Sequence, residues 1–425
     1  MVPVARWQRA SPRTARRWSW RRYAAIAGAG ALVSVGYVDP GNWATDVAAG
    51  SRFAYAPLSV VVASGLAAML FQCLSARLGI ATGKDLAELT REAYPRAAWP
   101  IWCAAEIAII ATDVAEVLGS ALALSLLWRV PLTAGVALTG LDVLVLMSLE
   151  RLGSRAIPRV VEALLVVVAA ALGYELAVSR PTLAAIAGGL LPDARVFTER
   201  DMLLSAVAIV GATVMPHNLY LHSSLVRRGR AGGEAVGAAS FATLDAVVSL
   251  AGATCLNAAL VVVAAAAFHD RGRSDVADIA DAHRLLAPLL GSTAAPVVFA
   301  LALLAAGQSA TVTATLAGQV VMSGFLAVRW SAWKRRLVTR ACAMVPALVL
   351  LVATGERNVG RLLVGSQVVL SLGLPLAIVP LMRLTSDPRR MGALVSPTWV
   401  RTAGWTTAGL IVAANAALLL GLAAR

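Results

Sequence analysis

Gly36-Tyr37-Val38-Asp39-Pro40-Gly41-Asn42 lies in the middle to outer part of the first long apolar run of this 425-residue chain. A proline and a glycine flanking an acid break a helix, and the carbonyls so freed find no donor in hydrocarbon. From this stretch alone two arrangements are open. One is a broken helix lining a polar cavity, where the Asp39 carboxylate, the Asn42 amide oxygen and freed carbonyls form an oxygen-rich nest suited to a cation. The other is a plain kink with Asp39 at the aqueous interface. A second such stretch, Gly211-Ala212-Thr213-Val214-Met215-Pro216-His217-Asn218, interrupts the sixth apolar run and sets a proline beside a thioether and an imidazole. Taken singly, a methionine there is a packing residue and a histidine a satisfied structural one. Two proline-interrupted runs five apart, however, are what two five-helix repeats of opposite orientation give, with a site where the repeats meet near the midplane. The pattern predicts that the breaks face each other and combine a carboxylate, an amide oxygen, backbone carbonyls and a soft sulfur. Mg²⁺ and Ca²⁺ prefer all-oxygen shells, whereas Mn²⁺, Fe²⁺ and later metals accept sulfur, so Met215 argues for a transition metal.

The rest of the chain supports a membrane setting. It is 59% hydrophobic and 14% charged with mean hydropathy +0.75, against about 45–50% apolar and about 25% charged in soluble domains. A helix crosses about 30 Å of hydrocarbon in about 20 residues. Eleven segments qualify, near 23–48, 55–79, 99–127, 130–148, 159–179, 203–226, 237–268, 287–327, 337–354, 361–383 and 401–423. The expected fold class is an all-α polytopic membrane protein. Residues 1–22 form a basic tail with seven arginines, followed by one transmembrane domain over 23–425. The tail could pass for a signal peptide, but the run after it leads into Asp39-Pro40-Gly41-Asn42 and not into a small-residue cleavage site, so the first segment is expected to be retained. The formal charge of +14 admits nucleic acid as a partner. Basic residues confined to short gaps, with only 6% aromatics, argue against it. Placing the N-terminus in the cytoplasm puts 24 of the 37 Lys and Arg on that side and 11 on the other. This is the bias expected of cytoplasmic loops in a plasma-membrane protein whose C-terminus is outside.

Charges inside spans are expensive and therefore informative. Glu106, Asp113 and Glu116 share one broad face of the third span, an acidic stripe that protons or cations must neutralise, as in a proton relay. Arg340, at the start of the ninth, is either their counter-charge or snorkels to the surface. Asp142, Glu162 and Asp245 are further intramembrane acids with no role assigned beyond hydrogen bonding. Cys73, Cys103, Cys255 and Cys342 stand singly and suggest neither disulfides nor a zinc site. HExxH, GxSxG and the P-loop are absent, which argues against an enzyme or a nucleotide-driven pump.

Asp39-Pro40-Gly41-Asn42 and Met215-Pro216-His217 resemble the NRAMP family of proton-coupled divalent-metal transporters. Phe71 to Leu86, Ala105-Glu106-Ile107-Ala108, Ala111 to Gly119 and Thr315-Leu316-Ala317-Gly318-Gln319 agree with it. The resemblance covers residues 24–423. It implies a LeuT-like fold, with inverted repeats over about 23–179 and 203–383, broken helices 1 and 6, and an added eleventh helix over 401–423. It further implies a metal held by Asp39, Asn42, Met215 and the Ala212 carbonyl, with the Gly36 carbonyl and Gln367 joining in some states. Protons would move by Asp39, His217, Asp113, Glu116 and Arg340, and His222 would border the cytoplasmic exit. Thr339 departs from members with a second arginine before the Arg340 position. Met215, replaced in Mg²⁺-type relatives, favours import of Mn²⁺ or Fe²⁺ with H⁺. The alternatives are such a Mg²⁺-type relative or a sodium-coupled transporter of small organic solutes on the same fold. No resident cofactor and no obligate protein partner are expected; metal ions, protons and lipid are the partners.

Overall fold

The computed structural model describes residues 28–141, 156–227, 235–276, 278–327, 332–355 and 358–423. The first span is broken: α1 (Ala29–Ser34) and a 3₁₀ turn (Val35–Val38) end at Asp39, and α2 (Pro40–Phe53) starts afresh. Next come α3 (Pro57–Thr82), the short α4 (Leu86–Ala93), α5 (Ala98–Trp128), α6 (Leu132–Thr139), α7 (Ala156–Ser179) and the short α8 (Leu183–Gly189). The sixth span is broken likewise, into α9 (Arg200–Thr213) and α10 (Pro216–Val226). The chain continues through α11 (Ala235–Ala267), α12 (Ile279–Leu290), α13 (Ala295–Leu326), α14 (Ala332–Thr354), α15 (Val359–Thr385) and α16 (Thr398–Ala423). Among the described residues there is no β-strand.

Local chemistry sets the ends. Prolines open α2, α3 and α10, at a position where the new helix itself makes no use of the missing N–H. The loop between α3 and α4 is fixed by Gly83 at φ 71°, whose N–H reaches the Gly79 carbonyl, and then by Asp85, which caps α4 in a reciprocal box with Glu88.

Among the described residues, eight helices are long and apolar enough to cross a membrane, counting Arg200–Val226 as one; Ala29–Val38 and Arg340–Ala353 are shorter apolar helices. One expected segment is corrected. The span expected over 287–327 begins only at Ala295, because Gly291, in the left-handed region at φ 66°, ends the separate helix α12. The segment near 130–148 is described only as far as residue 141, and Asp142 lies outside the described residues.

The helices are unequal in position. In α5 and in the broken sixth span, 78% of the central window is buried inside the protein; in α7 and α16 it is 28%. Apolar side chains on the latter two, such as Val166 and Leu410, are exposed as lipid-facing residues should be. The two broken spans and α5 therefore form the centre, with α13 and α15 packed on them. Trp43 of α2 meets Phe299 of α13 edge-on at 5.1 Å. At the rim, Ser371 of α15 donates to Asn415 Oδ1 of α16 at 2.9 Å, and Asn415 Nδ2 returns a bond to the Ser371 carbonyl at 2.8 Å.

Candidate metal and proton site

Both breaks have one backbone cause. In a helix the carbonyl of residue i accepts from the N–H of residue i+4. Pro40 offers none to Gly36, and Pro216 none to Ala212. The two carbonyls implied as metal ligands are thus the ones the prolines release, a signal present in the sequence as a spacing of four.

Side chains complete the nest. Asp39 is fully buried; its Oδ1 accepts from the Asn42 N–H at 2.8 Å and caps α2. Its Oδ2 has no hydrogen-bond partner, and neither have the buried Asn42 Oδ1, Asn218 Oδ1 and Gln367 Oε1. Buried acceptors without donors are costly unless something positive completes them. Met215 is fully buried among Ala108 and Leu370, and its sulfur accepts from Asn218 Nδ2 at 3.4 Å.

Three glycines bring these groups together. A Cβ on Gly36 would press on the Asn218 amide, joining the first break to the second. A Cβ on Gly41 would overlap the Gln367 side chain, and one on Gly211 would overlap the Gln367 carbonyl. Gln367 of α15 therefore wedges between both breaks. Asp39, Asn42, Gly36, Ala212, Met215 and Gln367, expected together, lie in this one buried region. Among the described residues no three His, Cys, Asp or Glu cluster as a metal site. The nest depends on amides, carbonyls and a thioether around a single acid.

On α5, Asp113 and Glu116 are buried and Glu106 is partly so. The charges of Asp113 and Asp39 act on Glu116, those of Arg340 and Glu106 act on Asp113, and Arg340 also reaches Glu116. The acids thus form a series from Asp39 to Arg340. Arg340 is 6% exposed, with Nη2 donating to the Thr139 carbonyl at 2.6 Å, so it lies among these acids and not at the surface. His217 is buried at the start of α10 with Nδ1 unpartnered.

Sequence reasoning named His222 but gave Tyr37, Gln72 and Asn257 no role beside it. His222 Nδ1 donates to Gln72 Oε1 at 2.9 Å, Gln72 Nε2 donates to the Tyr37 hydroxyl at 2.7 Å, and Asn257 Nδ2 donates to the Tyr37 carbonyl at 2.8 Å. This series ties α10, α3 and α11 to the first break. Asp245 accepts from the Gly30 N–H at 2.7 Å and so anchors the start of α1, while Glu162 is exposed. Asp46 and Glu175 are two further buried acids. At the end of α10, Arg227 Nη1 pairs with Asp85 Oδ2 at 3.0 Å, and burial pushes the Asp85 carboxyl up to about 6.

Residues 30–421 match the family described as natural resistance-associated macrophage protein-like. The chain belongs to the NRAMP family. It is 48% identical to a divalent metal cation transporter, MntH, of Nostoc sp., over 94% of this chain and 92% of that one. It is 50% identical to the MntH of Xanthomonas campestris over 94% and 91%. Its fold is similar to that of the Eremococcus coleocola manganese transporter, with TM-score 0.85 and 35% identity over 97% of this chain and 88% of that one. A likeness to MhsT, at TM-score 0.61 and 16% identity over 92% and 97%, shares the fold alone. The fold of this NRAMP chain is LeuT-like, with broken first and sixth helices.

Proposed function

We propose that this NRAMP chain is a secondary transporter that imports divalent transition-metal ions, Mn²⁺ or Fe²⁺, together with H⁺ by alternating access. One observation carries the reading: Asp39 Oδ2, Asn42 Oδ1 and Gln367 Oε1 are buried without partners where two helix breaks meet beside the Met215 sulfur. A divalent cation supplies the missing positive charge, and the Ala212 carbonyl, with that of Gly36 in some states, adds oxygen. The sulfur favours Mn²⁺ and Fe²⁺ over Mg²⁺ and Ca²⁺. Divalent metal cations in the names of the Nostoc and Xanthomonas relatives, and manganese in that of the Eremococcus transporter, agree.

The coupled proton uses Asp39, His217, Glu116 and Asp113, with Glu106 beside them and Arg340 continuing the route inward. A charge series leading away from the nest lets the metal and the proton part company, because only one end of it holds the metal ligands. The membrane potential adds about 2.3 kcal/mol per charge per 100 mV to inward movement. Residues 1–22 and the basic loops face the cytoplasm of the cell membrane, the C-terminus faces out, and inverted repeats span about 23–179 and 203–383. An organic anion is disfavoured as substrate, since the buried Asp39 would repel its carboxylate.

The test is uptake by protein reconstituted in liposomes. Mn²⁺ should accumulate faster with external acid, and Fe²⁺ should compete while an excess of amino acid does not. Vesicles that take up no metal under an inward proton gradient would sink the proposal.

A further inference from the structure

The mechanism above leaves one acid of the broken first span unused. Asp46 follows Asp39 by seven residues and Asn42 by four. Those spacings put all three on one face of α2, with Asp46 about 10 Å along the helix from Asp39. Asp46 is 1% exposed, and its Oδ2 has no hydrogen-bond partner. The one charge shown to act on it is that of Asp39, another carboxylate.

Asp245 shows what a structural carboxylate does here: it accepts an N–H from Gly30 and anchors the start of α1. Among the described residues no basic group pairs with Asp46. Two like charges on one buried helix face, the outer of them unpaired, are relieved either by a proton or by a cation. The proposed transport supplies such a charge, and α2 leads from the nest toward Phe53, the outer end in the topology given above.

We propose that Asp46 is an outer way-station for the divalent cation, which the Asp46 carboxylate holds one turn beyond Asn42 before it passes to the nest at Asp39. The inference rests on the metal-transport reading. A carboxylate does not separate Mn²⁺ from Ca²⁺ as a thioether does, so the way-station raises local cation concentration and leaves selection to Met215.

Initial rates of Mn²⁺ uptake into liposomes, over a Mn²⁺ series, test it with wild type, Asp46→Asn, Asp46→Ser, Asp46→Glu and Asp39→Ala side by side. Asp46→Asn should raise KM about five-fold with most of Vmax kept, and Asp46→Glu should bring KM back to within about two-fold of wild type. The preference for Mn²⁺ over Ca²⁺ should stay as in wild type. An unchanged KM, or a fallen Vmax at unchanged KM, overturns the assignment. So does loss of a folded melting profile in both the Asn and Ser variants, because a way-station is not needed for assembly. Wild-type protein without Mn²⁺ uptake would count against the proposed function itself. Wild-type uptake matched by Asp46→Asn counts against this inference alone.

Discussion

At Asp39-Pro40 and at Met215-Pro216 the chain treats its backbone alike and its side chains differently. Each proline withholds an N–H from the carbonyl four residues back, Gly36 in one case and Ala212 in the other, and each opens a new helix. The first break then presents a carboxylate and a carboxamide; the second presents a thioether, held by the amide of Asn218. Charge is concentrated at one break and polarisable sulfur at the other. Under the proposed transport, attraction and selection would fall to different halves of the molecule and become separable by mutation.

The most damaging way to test that division is Asp39→Ala, which removes the only acid of the nest. Metal uptake should fall at least about 100-fold, and substantial residual uptake would show that the charge resides elsewhere. Pro216→Ala attacks what the breaks share. It returns an N–H to the Ala212 carbonyl and should lower uptake about ten-fold in protein that still folds, with Pro40→Ala as its counterpart. Met215→Ala probes the soft half: about one-third of the Mn²⁺ rate should survive while Ca²⁺ and Mg²⁺ compete about ten-fold better. Unchanged competition would refute the role given to sulfur. Glu116→Gln, next to the charged half only, should reduce stimulation by external acid about five-fold and leave Mn²⁺ affinity within about two-fold, readable by uptake beside calorimetric titration.

The smallest effect lies outside the membrane, where Asp85 joins α4 to the end of the soft half. Its carboxyl titrates near 6 in the folded protein because burial outweighs the pull of Arg227, against about 3.9 when unfolded. The folded state thus holds the proton more tightly, so stability from this group is full below about pH 4 and declines as pH rises through about 6. Protection of the α4 amides, taken against their intrinsic exchange rates at each pH, should be greater at about pH 4.5 than at about pH 7, and Asp85→Asn should flatten that difference.

The fold was legible because its strongest signals are local. Prolines interrupting the first and sixth apolar runs, and apolar runs of spanning length, each report on a single helix. The limits appear where one residue answers to distant ones. Asp245 carried no visible role because its partner, Gly30, lies 215 positions away. Tyr37, Gln72 and Asn257 are unremarkable in composition and acquire meaning only when three helices bring them into line. Asp46 escaped notice for a different reason. The motif before it ends at Asn42, but α2 runs on to Phe53 and keeps Asp46 buried in mid-helix. Gln367 has no local signal either; the absent side chains of Gly41 and Gly211 are what show how tightly it is wedged.

The bond pair between Ser371 and Asn415 has a bearing on motion. Ser371 stands one turn beyond Gln367 on α15, and its hydroxyl and carbonyl are both satisfied by a single asparagine of the lipid-facing α16. Pulling the two helices apart would leave three polar groups facing hydrocarbon with nothing to bond. Helix α15 is therefore tied to a lipid-facing helix at the rim of the bundle while it presses Gln367 into both breaks. The eleventh helix is given no ligand in the proposed nest, yet through this bond pair it fixes the outer side of the helix that carries Gln367.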